Sequence, residues 1–265
     1  MRCPFRLALF AFAPLAVAPA CVTVVAPADF LESSDQAEPA VDPCRVVFIV
    51  EGMLHDLGAP WDERLQAECS EAGVLAIRVR YFTSPFGVWF NWGSILPARA
   101  LAELADSLED LHTASGCARP LELYGVGFSH GCEVFLRALA DMKSARLKRL
   151  ALLHSSSFAW SYAADRLVRD GQVEEPIQHW FSAIDGTTLF APLGAGNLGM
   201  RTRTGAVINR HHFRPHLARF LTASVRREVL QFLLGTELEQ SLGQPLLPGT
   251  QDYKDGLKQL LRDLH

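Results

Sequence analysis

Ser129 lies in the pentapeptide Gly127-Phe-Ser-His-Gly131, which has the G-x-S-x-G pattern of a strained turn that exposes a nucleophilic serine. An apolar run of strand length precedes this pentapeptide, and a helical pattern from Cys132 to Ala140 follows it. A sharp strand-to-helix turn requires small residues on both sides of the serine, and the two glycines meet that requirement. The pattern therefore indicates acyl chemistry in which the Ser129 hydroxyl attacks a carbonyl carbon.

A serine hydroxyl becomes a good nucleophile only beside a base, and a third group must orient that base. When the nucleophile follows a strand in this way, the acid comes next along the chain and the histidine comes last. Asp185 directly follows the apolar segment 180–184, so we predict that it ends a later strand and is the acid. Asp165 and Asp170 are weaker alternatives, because they lie on a predicted helix and in its exit loop.

Three histidines lie between the last predicted strand and the predicted closing helix: His211, His212 and His216. We predict that His216 is the base, because it stands just ahead of the closing helix. His212 is the alternative, because it is closer to the end of the strand. His154 also ends a predicted strand, but it precedes the acid, and we interpret it as a structural or pocket residue.

An acyl enzyme also needs backbone N–H donors for the oxyanion that forms during attack. His130, the residue after the nucleophile, should supply one donor. Met53 should supply the second, because Gly52 lets the backbone after the first core strand turn toward the serine. The sequence therefore predicts an oxyanion hole made of His130 and Met53, with Gly52 in the substrate pocket.

The loop from Phe82 to Ile95 carries five aromatic side chains among Gly, Pro, Ser and Asn residues. One interpretation is that these rings cover the core. The other is that Phe86, Trp89 and Trp92 form an apolar wall of the substrate pocket, since such pockets are lined mainly by apolar and aromatic groups. The second interpretation predicts a substrate with an apolar, lipid-like acyl group.

The elements that position these residues alternate between strands and helices. Apolar runs rich in β-branched residues predict buried strands, and amphipathic segments between them predict helices. This alternation predicts an α/β fold with a mostly parallel central sheet flanked by helices. We count about six strands, namely 46–50, 74–81, the run before Ser129, 147–154, 176–184 and 206–208.

The strand before Gly52, the turn at Ser129, Asp185 and the late histidine together resemble the α/β-hydrolase superfamily. The resemblance covers about residues 44–235 and is strongest at Gly127–Gly131. It implies a minimal hydrolase fold without the first one or two strands of the full sheet and without a large cap. It also implies a serine hydrolase that needs no metal and no cofactor.

The N-terminal residues 1–21 predict a secretory signal, because two arginines precede an apolar run and small residues follow it. Cys21 directly after the small residues is also typical of a bacterial lipoprotein that is anchored through its cysteine. Residues 22–43 are rich in Ala, Pro and acidic residues and predict a flexible tether. The predicted hydrolase domain spans 44–235, and 236–265 predicts a polar tail that ends in a short helix.

Composition excludes one class of partner and limits the roles of the cysteines. A net charge of −4 with 20% charged residues gives no basic surface that would attract nucleic acid. None of the cysteine spacings matches a zinc site. Because Cys44 and Cys117 each precede a predicted strand, they would meet at one edge of a parallel sheet and could form a disulfide in an exported protein.

The sequence therefore predicts a serine hydrolase of the periplasm or cell envelope that acts on an ester or a related acyl bond. Acyl transfer to an acceptor other than water would use the same residues. The alternative from another class is a non-catalytic hydrolase-fold protein that binds a ligand or partner, because Glu51-Gly52 stands where many hydrolases have His-Gly.

Overall fold

The structure, a computed structural model, describes residues 22–32, 41–52, 61–81, 92–159, 162–182, 195–212, 222–235 and 248–264. The strands are β1 (Val22–Val25), β2 (Asp42–Val50), β3 (Val74–Tyr81), β4 (Glu122–Phe128), β5 (Arg149–Leu153), β6 (Ile177–Phe181) and β7 (Val207–His211). The helices are α1 (Ala28–Glu32), α2 (Trp61–Glu71), α3 (Ile95–Ser115), α4 (His130–Asp141), α5 (Ala163–Arg169), α6 (Ala195–Leu198), α7 (Ala223–Leu234) and α8 (Thr250–Leu264), and a 3₁₀ turn at Trp92–Ser94 precedes α3.

The seven strands form one sheet in the order β1-β3-β2-β4-β5-β6-β7. All neighbouring pairs are parallel except β1 and β3, which pair in antiparallel fashion. Parallel neighbours require crossover connections, and these are the helices that cover the sheet. The predicted α/β class with a mostly parallel central sheet is therefore confirmed.

Both faces of the central strands are buried, which explains their continuous apolar runs. In β2, Val46, Phe48 and Val50 pack into the core under α3, α4 and α8, while Val47 and Ile49 pack into the core under α2 and α7. This alternation follows from the two-residue period of a strand. Because these strands are parallel, the carboxyl ends of β3, β2, β4, β5, β6 and β7 share one edge of the sheet. Ser129 directly follows β4, an inner strand between β2 and β5.

The structure corrects the prediction of a flexible tether at 22–43. Val22–Val25 is an edge strand that pairs with Tyr81, Arg80, Val79 and Arg78 of β3. Phe30 of the following helix is 3% exposed and belongs to the main core. The sequence signal fails here because β1 has four residues and Pro and Ala follow it closely, so neither periodicity nor length identifies a strand. The described residues thus form seven strands rather than the predicted six or so.

The C-terminal segment is also more than a polar tail with a short helix. Helix α8 begins at Thr250, and its residues Tyr253, Leu257 and Leu261 are buried in the same core as α3 and β2. Gly249, just before the helix, lies so close to the turn after α3 that a Cβ atom there would stand 2.6 Å from the Ser115 carbonyl oxygen. Residues 250–264 are therefore part of the hydrolase-like domain.

Cys44 and Cys117 lie at the amino-terminal edge of the sheet, as predicted. Their neighbours Arg45 and Glu122 are register partners on the parallel strands β2 and β4. The sulphur atoms are 3.6 Å apart and both thiols are free, whereas a disulfide bond is about 2.05 Å long. The disulfide itself stays a prediction. None of the helices in the described ranges is long and apolar enough to span a bilayer.

Replacing Leu257 with Ala tests whether α8 belongs to the folded domain. The side chain is fully buried, so its truncation should lower the free energy of unfolding by about 2–5 kcal/mol. Leu264→Ala in the last turn, where the side chain is 37% exposed, is the matched control and should change that free energy by less than about 0.5 kcal/mol. Urea denaturation measures both. If both variants change the free energy of unfolding by the same small amount, α8 does not contribute to the core.

Candidate active site

Ser129 stands between β4 and α4 in a backbone conformation that side-chain-bearing residues rarely adopt. Its φ is 55° and its ψ is −122°. Such a residue stores strain of order 1–3 kcal/mol and persists only where the surrounding structure enforces it. The strained strand-to-helix turn that the G-x-S-x-G pattern predicts is therefore present at Ser129.

Close packing explains why glycine stands on both sides of the serine. A Cβ atom at position 131 would lie 2.4 Å from the carbonyl oxygen of Val50 and 2.5 Å from that of Glu51. A Cβ atom at position 127 would lie 3.0 Å from the Cα atom of Cys132. The sequence-based prediction that both positions must be small is confirmed, because the first turn of α4 rests on the ends of β2 and β4.

Hydrogen bonds from neighbouring backbone hold the turn in this conformation. The Ser129 N–H donates to the Leu153 carbonyl oxygen at 2.8 Å, and the Ser129 carbonyl oxygen accepts from the N–H groups of Cys132 at 3.1 Å and Ser156 at 3.3 Å. The last residue of β5 and the residues after it therefore brace Ser129. Ser157 continues this brace, since its Oγ donates to Glu133 Oε2 on α4 at 2.8 Å.

The amino terminus of α4 directs N–H groups toward the side of Ser129. The first N–H groups of a helix have no acceptor within that helix, and the helix dipole adds positive potential there. His130 is the first residue of α4, which supports its backbone N–H as an oxyanion donor. Met53, the predicted second donor, lies outside the described residues.

The imidazole of His130 has a separate, structural position beneath the turn. It is 1% exposed, and its Nδ1 is hydrogen-bonded to the Tyr81 hydroxyl at 3.0 Å. Burial, and after it the charge of Arg137, lowers the pKa of His130 to about 4. The ring is therefore neutral near pH 7 and packs under the nucleophile.

Gly52 is the predicted pocket residue that the structure places beside Ser129. A Cβ atom on Gly52 would lie 2.9 Å from the Ser129 Cβ and 3.4 Å from its Oγ. The absence of a side chain therefore leaves open the space directly beside the hydroxyl. Phe86 and Trp89 lie outside the described residues, and of Trp92 only the backbone of the 3₁₀ turn is described.

Of the two histidines predicted as the base or its alternative, His212 lies among the described residues and His216 does not. It directly follows β7, and its N–H donates to the Phe181 carbonyl oxygen of β6 at 2.9 Å. Its ring meets the ring of His154 edge-on, with 4.7 Å between the centroids. His154 in turn lies between Leu153 and the Ser155–Ser157 segment that brace Ser129. His212 is thus at the same sheet edge as Ser129, while Asp185 and His216 lie outside the described residues.

His154 is a residue whose placement the sequence only partly indicates. Its φ is 51°, it is 1% exposed, and its N–H donates to the Trp180 carbonyl oxygen at 2.8 Å. The ring also contacts Phe128, at 6.1 Å between centroids. A strained, buried histidine between the nucleophile strand and His212 agrees with the predicted structural or pocket role.

The described residues around His212 enclose a cavity of about 480 Å³. It lies between the ends of β6 and β7 and the start of α7. Its walls combine an indole, two imidazoles, a guanidinium and a carboxylate, contributed by Trp180, His211, His212, Arg210 and Glu228 together with Asn209, Ser224 and Val225. The cavity therefore adjoins the strand ends that lead to Asp185 and His216.

A buried cluster of charges, which the sequence did not reveal, lies next to Gly52. The carboxyl group of Glu51 is 3% exposed and stands 3.6 Å from the Arg80 guanidinium. Asp62 on α2 bonds to Arg78 at 3.0 Å and to Arg80 at 2.8 Å. Burial, followed by the charge of Asp62, raises the pKa of Glu51 to about 8. Burial alone would raise the pKa of Asp62, but hydrogen bonds from Glu51 and Arg80 lower it below its ordinary value. The proton that the two carboxyl groups share therefore resides on Glu51.

Comparison with known proteins finds solved structures that resemble this chain at low sequence identity. No family model matches the sequence, and no curated protein matches it. The chain is similar to a lidless α/β serine hydrolase from Xanthomonas campestris, at 18% identity and a TM-score of 0.48 over 87% of this chain and 93% of that one. It is also similar to a thermophilic esterase from Thermogutta terrifontis, at 14% identity and a TM-score of 0.42 over 85% and 90%. The strand order and the strained turn at Ser129 themselves define an α/β-hydrolase fold.

Replacing Glu51 with Gln tests the protonated state of this acid. The pKa of about 8 in the folded protein exceeds the ordinary 4.5, so the stabilisation that the bound proton gives is full below about pH 4.5 and is lost as pH rises through about 8. The Glu51→Gln side chain stays neutral at every pH. The free energy of unfolding should therefore fall less in this variant than in the wild type between about pH 6 and about pH 9, and the difference between the two falls should be on the order of 2 kcal/mol.

Urea unfolding at the two pH values measures this difference. Glu63→Gln is the matched control, because Glu63 pairs with the same arginines but has a half-exposed side chain. That variant should follow the pH dependence of the wild type. Identical pH dependence in the wild type and Glu51→Gln would contradict a proton on Glu51.

Proposed function

We propose that this protein is a serine hydrolase that cleaves an ester or a related acyl bond through a Ser-His-Asp triad. The observation that carries the proposal is the conformation of Ser129, which is held at φ 55° between a buried strand and a helix amino terminus. A strained nucleophile that glycines and backbone hydrogen bonds enforce is costly to maintain. Nucleophilic catalysis by the serine hydroxyl explains that cost.

The proposed reaction begins when the Ser129 Oγ attacks the acyl carbon while the base removes its proton. The backbone N–H of His130 and the predicted second donor, Met53, stabilise the oxyanion. The base then protonates the leaving group, and water releases the acyl group from Ser129. Asp185 orients the base, because it follows β6 and precedes the histidines in the chain order that such a triad requires.

We propose His212 as the base in this reaction. The support is its location at the end of β7, beside His154 and the segment that braces Ser129. Sequence order alone favours His216, which lies four residues further and outside the described residues. The proposal therefore differs from the first expectation in the histidine and keeps the same serine and acid.

The proposed substrate is a small or lipid-like acyl compound that reaches Ser129 over Gly52. We also propose export to the cell envelope, supported by the signal-like residues 1–21 and by Cys21 as a site of lipid attachment. The intact mass of the protein from the envelope fraction tests this location. An uncleaved N-terminus in that fraction would contradict it.

Replacing Ser129 with Ala should abolish covalent labelling by a fluorophosphonate probe, because the probe reacts with an activated serine hydroxyl. Ser107→Ala, on the exposed face of α3, is the matched control and should label like the wild type. Intact mass spectrometry measures the adduct. If the folded wild type labels with none of several probes, the protein is instead a non-catalytic member that binds a ligand with this fold.

The two histidine variants identify the base. His212→Ala should lower kcat on an activated ester by on the order of 10⁴-fold or more, since loss of a triad histidine removes the proton shuttle. His216→Ala should retain activity within about tenfold of the wild type if it only lines the site. Steady-state kinetics on a p-nitrophenyl ester measures both. The reverse result would assign the base to His216.

A further inference from the structure

A cluster of two thiols and an imidazole lies at the edge of the sheet opposite to Ser129. Cys44 precedes the apolar part of β2, Cys117 precedes β4, and His112 is in the last turn of α3. One donor atom from each of these residues lies within 4.8 Å of the other two. The length of β4, seven residues, puts the cluster about 20 Å from the nucleophile.

The geometry of the cluster fits a metal ion with tetrahedral coordination. Two sulphur atoms that each lie about 2.3 Å from one Zn²⁺ are about 3.8 Å apart in a tetrahedral site. The observed distance between the Cys44 and Cys117 sulphurs is 3.6 Å. This separation allows both sulphurs to bind one ion with little movement, whereas a disulfide would require them to approach to about 2.05 Å.

One ring nitrogen of His112 is already held by a backbone carbonyl, which is a common feature of metal-binding histidines. The His112 Nε2 is 2.6 Å from the carbonyl oxygen of Arg119, so Nε2 carries the proton and donates it there. The lone pair is then on Nδ1. A hydrogen bond from one ring nitrogen to a backbone carbonyl is the common outer contact of histidine ligands, because it fixes the ring and raises its basicity.

A second, independent observation points to a missing partner at the same place. The Tyr253 hydroxyl is fully buried and has no hydrogen-bond partner among the described residues. Its ring meets the His112 ring edge-on at 5.3 Å, and Cys117 is 3.4 Å from the Thr250 hydroxyl of the same helix. A buried hydroxyl without a partner is costly, and an ion with its bound water or thiolates would supply one.

We propose that Cys44, His112 and Cys117 form a binding site for a thiophilic transition-metal cation, with Zn²⁺ as the representative ion. Two thiolates and an imidazole are the donors that such cations select, while Mg²⁺ and Ca²⁺ select oxygen. Cys117 is partly exposed and gives the ion a route into the site. The ion would join β2, β4 and the end of α3 beside the start of α8, so its role is structural.

The proposal is tested on the full mature chain, reduced, with any affinity tag removed. Equilibrium dialysis against chelator-buffered Zn²⁺ should give one bound ion per chain. Co²⁺ in its place should show the thiolate charge-transfer absorption of a sulphur-ligated ion. His112→Ala and Cys117→Ser should each weaken Zn²⁺ binding at least about tenfold. Cys69→Ala, which alters a buried cysteine outside the cluster, should bind like the wild type.

His112→Ala separates a metal site from a disulfide, because a disulfide does not need the imidazole. Near-ultraviolet circular dichroism first verifies that each variant is folded. Zn²⁺ affinity of the folded His112→Ala variant equal to that of the wild type would overturn the proposal. So would a Cys44–Cys117 disulfide found by non-reducing peptide mapping, if the reduced wild type then fails to bind Zn²⁺. Loss of binding in His112→Ala, with the wild type binding one ion, supports it.

Discussion

The first turn of α4 rests directly on the end of β2, and the arrangement around Ser129 depends on that contact. It is possible because residue 131 has no side chain, since a Cβ atom there would overlap the carbonyl oxygens of Val50 and Glu51. The amino terminus of α4 therefore lies in direct contact with the carboxyl-terminal edge of the sheet. Ser129 is forced into its strained conformation at that junction, and Gly52 must face it without a side chain.

The same contact explains a cluster of charge in an otherwise apolar region. The chain leaves β2 beneath the helix, so the side chain of Glu51 turns into the protein toward Asp62. Two buried carboxyl groups are tolerable only when they share a proton or meet cations. Arg78 and Arg80 on β3 supply the cations, which gives a physical reason for two arginines in a buried strand.

Local patterns predicted the central strands and the turn at Ser129, because each is encoded by a short, continuous stretch. The strand predicted at 74–81 agrees with the bounds of β3 to the residue. The edge strand at Val22 and the docking of α8 could not be predicted in this way, since their order depends on β3 and α3 elsewhere in the chain. The contacts of His212 with His154, and of Tyr81 with His130, likewise join residues that only the sheet brings together.

The edge strand β1 begins at Val22, immediately after Cys21. An acyl chain on that cysteine would therefore be attached next to the first residue of β1, with no flexible linker between the lipid and the sheet. The folded domain would then be unable to move away from the membrane that holds the acyl chain. The β1 edge would then stay at the bilayer surface, and the sheet would set the orientation of the strand ends near Ser129 relative to the lipid headgroups.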